Sequence, residues 1–189
     1  MRPWRGGGWL AGVRQVFSPN FGSRPDGAEV SLIVIHNISL PPNEFGGDWV
    51  ARFFLNQLDP AAHPYFSEIA GQQVSAHFYV RRDGQIVQFV DCDRRAWHAG
   101  RSTWLGRENC NDYSVGIELE GADEVPYTPA QYGALRELID ALQARYPITA
   151  VAGHCHVAPG RKSDPGPAFD WRFIRQHWPA LALPAEVGA

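Results

Sequence analysis

Apolar positions along this chain change period several times, and each change marks an element. Leu32-Ile33-Val34-Ile35 is an unbroken apolar run closed by His36, the pattern of a short strand buried on both faces. From Tyr113 to Glu120 the period is two. Val115, Ile117 and Leu119 alternate with Ser114, Gly116, Glu118 and Glu120, so a strand there has a core face and a polar face. Val74–Arg81 and Gln85–Val90 flank Asp83-Gly84, which predicts a hairpin because both turn positions accept positive φ. Trp49, Val50, Phe53, Phe54 and Leu58 recur at helical spacing and predict a helix over residues 47–58.

The strongest helix signal starts at Thr128, an N-cap followed by Pro129 at the first helical position and Gln131 as the partner of a capping box. Tyr132, Leu135, Ile139, Leu142 and Tyr146 then form one stripe that faces a core. Thr149–Gly153 predicts a returning strand that delivers His154, and His177-Trp178 is expected to pack at the end of a final helix. Residues 1–30 read as irregular, with turn signals at Ser18-Pro19-Asn20-Phe21 and Arg24-Pro25-Asp26-Gly27. The expected fold is α/β (α+β): one domain, a mixed central sheet flanked by helices. Its limits are set at 31–178, after an irregular segment 1–30 and before a tail 179–189.

A length of 189 residues suits one domain with a proper core. The net charge of −3 offers no basic field for phosphates and argues against nucleic acid as a partner. Cys92, Cys110 and Cys155 are odd in number and lack CxxC spacing, which fits a reducing compartment better than a disulfide framework. The N-terminal stretch lacks a signal-peptide apolar core, and no apolar run is long enough to span a bilayer. The expectation is a cytoplasmic monomer with no membrane partner.

Candidate chemistry concentrates in Gly153–Gly166, which sets His154, His156, Lys162 and Asp164 in one Pro/Gly-stiffened loop. His36 closes its strand where open α/β sheets place their sites. A lone strand-end histidine is commonly a hydrogen-bonded structural residue, and Asp164 could be a turn residue before Pro165-Gly166. Together, however, His36, His154 and Asp164 would make a three-ligand zinc site, the open form used in catalysis. Glu118 and Glu120 share the polar face of their strand, and either could be a solvated carboxylate or a general base. Lys162 is either a surface cation or a stabiliser of an oxyanion. His77 reads as a structural histidine or one that supports a ligand from behind, and His63 as loop punctuation. His156 shares a face with His154 if the segment is extended, and reads as a support behind the ligand or an exposed residue.

Several ordered motifs together resemble one family: Val34–Pro42, Val74–Phe78, Arg95–Gly100, Cys110–Ser114, Gly116–Gly121 and Lys162–Trp171. They are similar to the AmpD-type 1,6-anhydro-N-acetylmuramyl-L-alanine amidases, zinc amidases related to peptidoglycan recognition proteins. The resemblance runs over roughly residues 9–178. It implies hydrolysis of the amide between the lactyl group of anhydro-muramic acid and L-alanine of the stem peptide, during cytoplasmic recycling of wall fragments. It implies Zn2+ as cofactor, held by His36, His154 and Asp164, with Glu118 as the base and Lys162 stabilising the transition state. The partner it implies is a small soluble muropeptide, and such enzymes influence β-lactamase induction by removing signalling muropeptides.

Substrate contacts are expected from Asn37 and Trp97, the latter a sugar-stacking or core residue. Gln73 and Asn109 stand where relatives carry basic residues, so Arg107 and Arg161, or Arg101, are the candidates to meet substrate acids. The family usually has an acidic residue at the position of His156. Two other classes compete with the recycling amidase: a non-catalytic peptidoglycan-binding module, which would typically lack a ligand, and a lytic amidase of intact wall, which would want an export signal or wall-binding module.

Overall fold

The structure, a computed structural model, describes residues 2–185. In chain order its strands are β1 (Arg14–Gln15), β2 (Phe21–Gly22), β3 (Leu32–Ile38), β4 (Phe78–Val80), β5 (Ile86–Gln88), β6 (Arg95–Ala96), β7 (Thr103–Trp104), β8 (Arg107–Glu108), β9 (Ser114–Glu120) and β10 (Ala150–Gly153). The helices are α1 (Trp49–Phe54), α2 (Pro64–Ile69), α3 (Pro129–Arg145), α4 (His154–Val157) and α5 (Trp171–His177), with a 3-10 turn at Cys110–Asp112. Six strands make the main sheet in the order β1-β5-β4-β9-β3-β10. All neighbours in it run parallel except the β4–β5 hairpin. The result is a mixed sheet flanked by helices in one domain.

The apolar run at residues 32–35 is central because it is buried on both faces. Ile33 and Ile35 join Val115, Ile117 and Leu119 of β9 in a core that α3 covers with Leu135, Leu138, Ile139 and Leu142. Each of these fully buried side chains contributes about 1.5–3 kcal/mol. Leu32 and Val34 face the other side, with Ala152, Val157 and Tyr113. Toward the β4–β5 edge, that side is closed by Val50, Phe53 and Phe54 of α1 and Phe66 and Ile69 of α2. Helix α3 starts as its sequence dictates. The Thr128 side chain accepts from Gln131 N–H at 3.1 Å, and the Gln131 side chain accepts from Thr128 N–H at 3.1 Å.

Several expectations are corrected. The helix expected over 47–58 is confined to Trp49–Phe54, and a second helix follows at Pro64–Ile69. His63, read as punctuation, is the N-cap of that second helix and accepts from Tyr65 N–H at 3.2 Å. The hairpin forms, but only Gly84 of its turn has positive φ. Arg81 N–H donates to Gln85 O across a loop of residues 82–84, a three-residue connection with its left-handed residue last. Residues 1–30, expected to be irregular, supply β1 to the edge of the main sheet and β2 to a pair with β6. Tyr146 leaves the helix as its extended C-cap. Of the tail 179–189, Ala182 bridges Ala150, and residues 186–189 lie outside the described residues. Among those described, no helix is long and apolar enough to cross a membrane.

Candidate metal centre

The carboxyl ends of β3, β9 and β10 lie side by side, and each carries a functional group. His36 stands near the end of β3 and Glu118 near the end of β9. His154 follows β10 directly and begins α4. The turn into α4 is dictated locally. Gly153 has an extended backbone, and its N–H donates to His156 Nδ1 at 2.9 Å, a side chain reaching back over the N-cap. A Cβ on Gly153 would meet Pro165 Cδ at 2.7 Å. Because the segment is helical, His154 and His156 do not share a face, contrary to the extended-chain expectation. The Gly160–Asp164 loop then folds back, and Cys155 N–H donates to Asp164 O at 2.8 Å. Pro165 O accepts from Tyr127 Oη at 2.7 Å and from Asn37 Nδ2 at 3.1 Å, which pins the carbonyl next to Asp164.

Three donor atoms converge. His36 Nδ1 and His154 Nδ1 are 3.0 Å apart, and each is 3.1 Å from Asp164 Oδ2. Bonds near 2 Å at near-tetrahedral angles separate neighbouring donors by about 3.3 Å, so the spacing suits a small divalent ion. Proton positions argue the same way. His154 Nε2 faces Ala99 O at 3.2 Å; a carbonyl accepts only, so in the neutral ring, the form that ligates a metal, this nitrogen carries the proton and Nδ1 is a lone pair. That lone pair faces the Asp164 carboxylate. His36 Nδ1 can offer a proton to only one of them, so without a cation one repulsive contact remains. The residues fit a metal.

The electrostatics follow from burial. Burial, reinforced by the neighbouring His154, lowers His36 to about 4, with Asp164 partly opposing. Burial alone would raise the Asp164 carboxyl, but the positive charge that the His154 and His36 rings can carry beside it outweighs this and holds the group below the usual carboxylate range. Glu118 goes the other way. Burial and then the nearby Asp164 charge push it well above an ordinary glutamate, while Lys162 pulls it back. Its Oε2 is buried and has no hydrogen-bond partner in the protein.

A cleft of about 580 Å³ opens over this centre, and its lining includes Phe53, Tyr65, Ile69 and Trp97 together with Asp123 and Lys162. Asn37 lines it too, but its Nδ2 already donates to Asp123 Oδ1 at 2.8 Å and to Pro165 O. The two arginines go elsewhere. Arg107 stacks over the Tyr113 ring at 3.7 Å, and Arg161 donates to Ala99 O and Arg101 O; neither lines this cleft. Gln73 and Asn109 are exposed. Glu120 is drawn away as well, accepting from Gly46 N–H and Arg82 N–H. The polar face of β9 is therefore buried under other groups, not solvated.

Two residues without an assigned role prove central to this packing. His98 places Nδ1 at 2.9 Å from His36 Nε2. Arg24 donates to the carbonyls of Cys92, Asn111, Asp112 and Ser114. His77 is structural: Nδ1 accepts from Gly116 N–H and Nε2 donates to Arg94 O, both at 3.0 Å.

Residues 26–167 match the N-acetylmuramoyl-L-alanine amidase family. The chain belongs to that family. It is 57% identical over 181 residues to the 1,6-anhydro-N-acetylmuramyl-L-alanine amidase AmpD of Citrobacter freundii, covering 95% of each chain. A crystal structure of an AmpD derivative, 57% identical, superposes with a TM-score of 0.87 and covers 89% of this chain and 96% of that one. The AmiD amidase of E. coli has been solved with anhydro-N-acetylmuramic acid-L-Ala-D-γ-Glu-L-Lys. It is 31% identical with a TM-score of 0.59, over 86% of this chain and 63% of that one. With the honeybee peptidoglycan recognition protein PGRP-SA, at 14% identity and a TM-score of 0.57 over 91% of this chain and 99% of that one, the amidase shares its fold.

Proposed function

We propose that this amidase is a zinc enzyme that cleaves the amide between the lactyl group of 1,6-anhydro-N-acetylmuramic acid and L-alanine of a soluble stem peptide. The setting is the cytoplasm, as a monomer engaged in peptidoglycan recycling. The observation that carries the reading is the meeting of His36, His154 and Asp164 donors within 3.1 Å of one another, beside the unpartnered Oε2 of Glu118. The activity named for the Citrobacter freundii relative supports the substrate, as does the ligand of the AmiD complex. Cys92 and Cys110 are not disulfide-bonded, which suits a reducing compartment.

His36 Nδ1, His154 Nδ1 and Asp164 Oδ2 would hold the ion. Zinc, when bound, supplies a Lewis acid for the amide carbonyl and lowers the pKa of water toward about 7. Glu118 Oε2 takes a proton from the attacking water and hands it to the leaving amine nitrogen. A carboxyl raised by burial accepts the water's proton more readily than an ordinary glutamate does, and its acid form is still acidic enough to protonate a leaving amine. Lys162, at the cleft wall, meets the negative charge that develops on the carbonyl oxygen. Trp97 offers an aromatic face to the sugar. Asn37 acts by holding Asp123 and Pro165, and so Asp164, in place. Arg107 and Arg161 take no direct part, since neither reaches the cleft.

The test is mass spectrometry of products from zinc-loaded protein given soluble anhydro-muropeptide or polymeric sacculi. Release of free peptide from the soluble substrate is expected. Release from sacculi alone would overturn the recycling assignment in favour of a lytic amidase.

A further inference from the structure

Each ligand imidazole turns one nitrogen to the donor triangle and the other outward, and a single loop receives both outward nitrogens. His36 Nε2 lies 2.9 Å from His98 Nδ1, and His98 Nε2 lies 3.1 Å from Ser114 Oγ. His154 Nε2 lies 3.2 Å from the carbonyl of the next residue, Ala99. The loop is itself held fast. Asn111 Oδ1 accepts from His98 N–H at 3.2 Å and from Ala99 N–H at 2.8 Å. The His98 ring packs so closely on β9 that a Cβ on Gly116 would meet three ring atoms at 2.5–2.7 Å.

We propose that His98 is a positioning residue for the metal: it accepts the Nε2–H of His36 at Nδ1 and donates from Nε2 to Ser114 Oγ. This holds His36 in the tautomer whose Nδ1 lone pair faces His154 and Asp164. The inference rests on the zinc reading above. The opposite tautomer of His36 would put a proton on Nδ1, where it fills the space between the donors and removes the lone pair that a cation needs. Ala99 O does for His154 what His98 does for His36, but a backbone carbonyl has no choice of role. His98 can donate or accept at either nitrogen, so its far partner Ser114 matters. Partners of this kind typically change metal affinity roughly 10- to 100-fold. Shape alone does not explain the residue, because a buried apolar side chain would fill the volume without pairing two polar atoms.

Zinc affinity is to be measured by competition with a chromophoric chelator for the parent, His98→Leu, His98→Asn and Ser114→Ala. Asn can present an oxygen acceptor near the position of Nδ1; Leu cannot. His98→Leu should bind zinc roughly 10- to 100-fold more weakly, Ser114→Ala should weaken it by less, and His98→Asn should recover most of the loss. On the unaltered, zinc-loaded protein, ¹⁵N-histidine NMR should find His98 protonated at Nε2 and not at Nδ1, a readout that needs no variant to fold. Parent-like zinc affinity in His98→Leu, or a proton on Nδ1 of His98, would overturn the inference alone. A parent protein that binds no zinc would overturn the metal reading and this inference with it.

Discussion

Glu118 stands directly across the sheet from His36: the two are register partners in the parallel pairing of β3 and β9. Partners in neighbouring strands are about 4.8 Å apart and present their side chains on the same face. The proposed base and a proposed ligand are therefore fixed relative to each other by the two longest strands of the sheet, not by a loop.

Glu118→Gln keeps the shape and removes the proton acceptor. It should retain zinc and lower turnover by about 10²- to 10⁴-fold, checked by assaying peptide release and metal content on one sample. Turnover within tenfold of the parent would remove Glu118 from the mechanism.

The same variant should change how stability depends on pH. Burial raises Glu118 in the folded protein, so the native state binds this proton more tightly than the unfolded chain does. Its contribution is favourable below the ordinary glutamate pKa and is lost as pH rises toward the folded value. In metal-free protein, Glu118→Gln should gain stability relative to the parent as pH increases above that of ordinary glutamates. Urea unfolding of both proteins across that range checks it; a constant difference would contradict it.

His77 works in the opposite sense. Burial, then the neighbouring Arg24 charge, lowers it to about 3, so the folded state excludes a proton that the unfolded chain accepts near pH 6.5. Stability is full above 6.5 and falls as pH drops toward 3, by at most about 1.4 kcal/mol per unit from this residue. Proton uptake on unfolding at pH 5, measured from the pH dependence of urea midpoints, should be smaller in His77→Gln than in the parent by nearly one proton. Equal uptake in the two proteins would contradict a neutral buried His77.

Two glycine substitutions should differ in sign. Gly116→Ala puts a methyl into the His98 ring and should cost about 1–3 kcal/mol. Gly133→Ala, exposed on α3 with nothing within 4 Å of the new Cβ, should stabilise by about 0.5–1 kcal/mol. Thermal or urea unfolding of the two variants beside the parent decides it.

Much of this architecture is legible in the sequence where the determinants are local. Thr128, Pro129 and Gln131 announce α3 within four residues, and the alternation from Ser114 to Glu120 places Glu118 on the same face as Gly116. Alternation does not tell what covers that face, so Glu120 and Ser114 could pass for solvated groups when loops in fact bury them. The second helix was hidden because only Phe66 and Ile69 mark its buried side, too few for a period. The adjacency of β10 and β3 is a matter of topology, which no spacing reveals, so the convergence of His36 and His154 came from residue chemistry and family resemblance. The tasks of His98 and Arg24 depend on partners far along the chain and leave no local pattern at all.

Arg24 illustrates that last class. Its guanidinium fans out to four backbone carbonyls around β9 and the 92–94 turn. A lysine ammonium cannot span them. Arg24→Lys should destabilise by about 2–4 kcal/mol through unpaired buried carbonyls, measured by urea unfolding; a loss under half a kcal/mol would show that the carbonyls find other donors.

The most direct test of the central claim is zinc stoichiometry by elemental analysis of the parent, Glu118→Gln, His36→Ala, His154→Ala and Asp164→Ala, with circular dichroism to confirm folding. The expected result is one zinc per chain in the parent and in Glu118→Gln, and loss of tightly held zinc in each of the other three. Full, tightly held zinc in folded His36→Ala or His154→Ala would contradict a centre built from these residues.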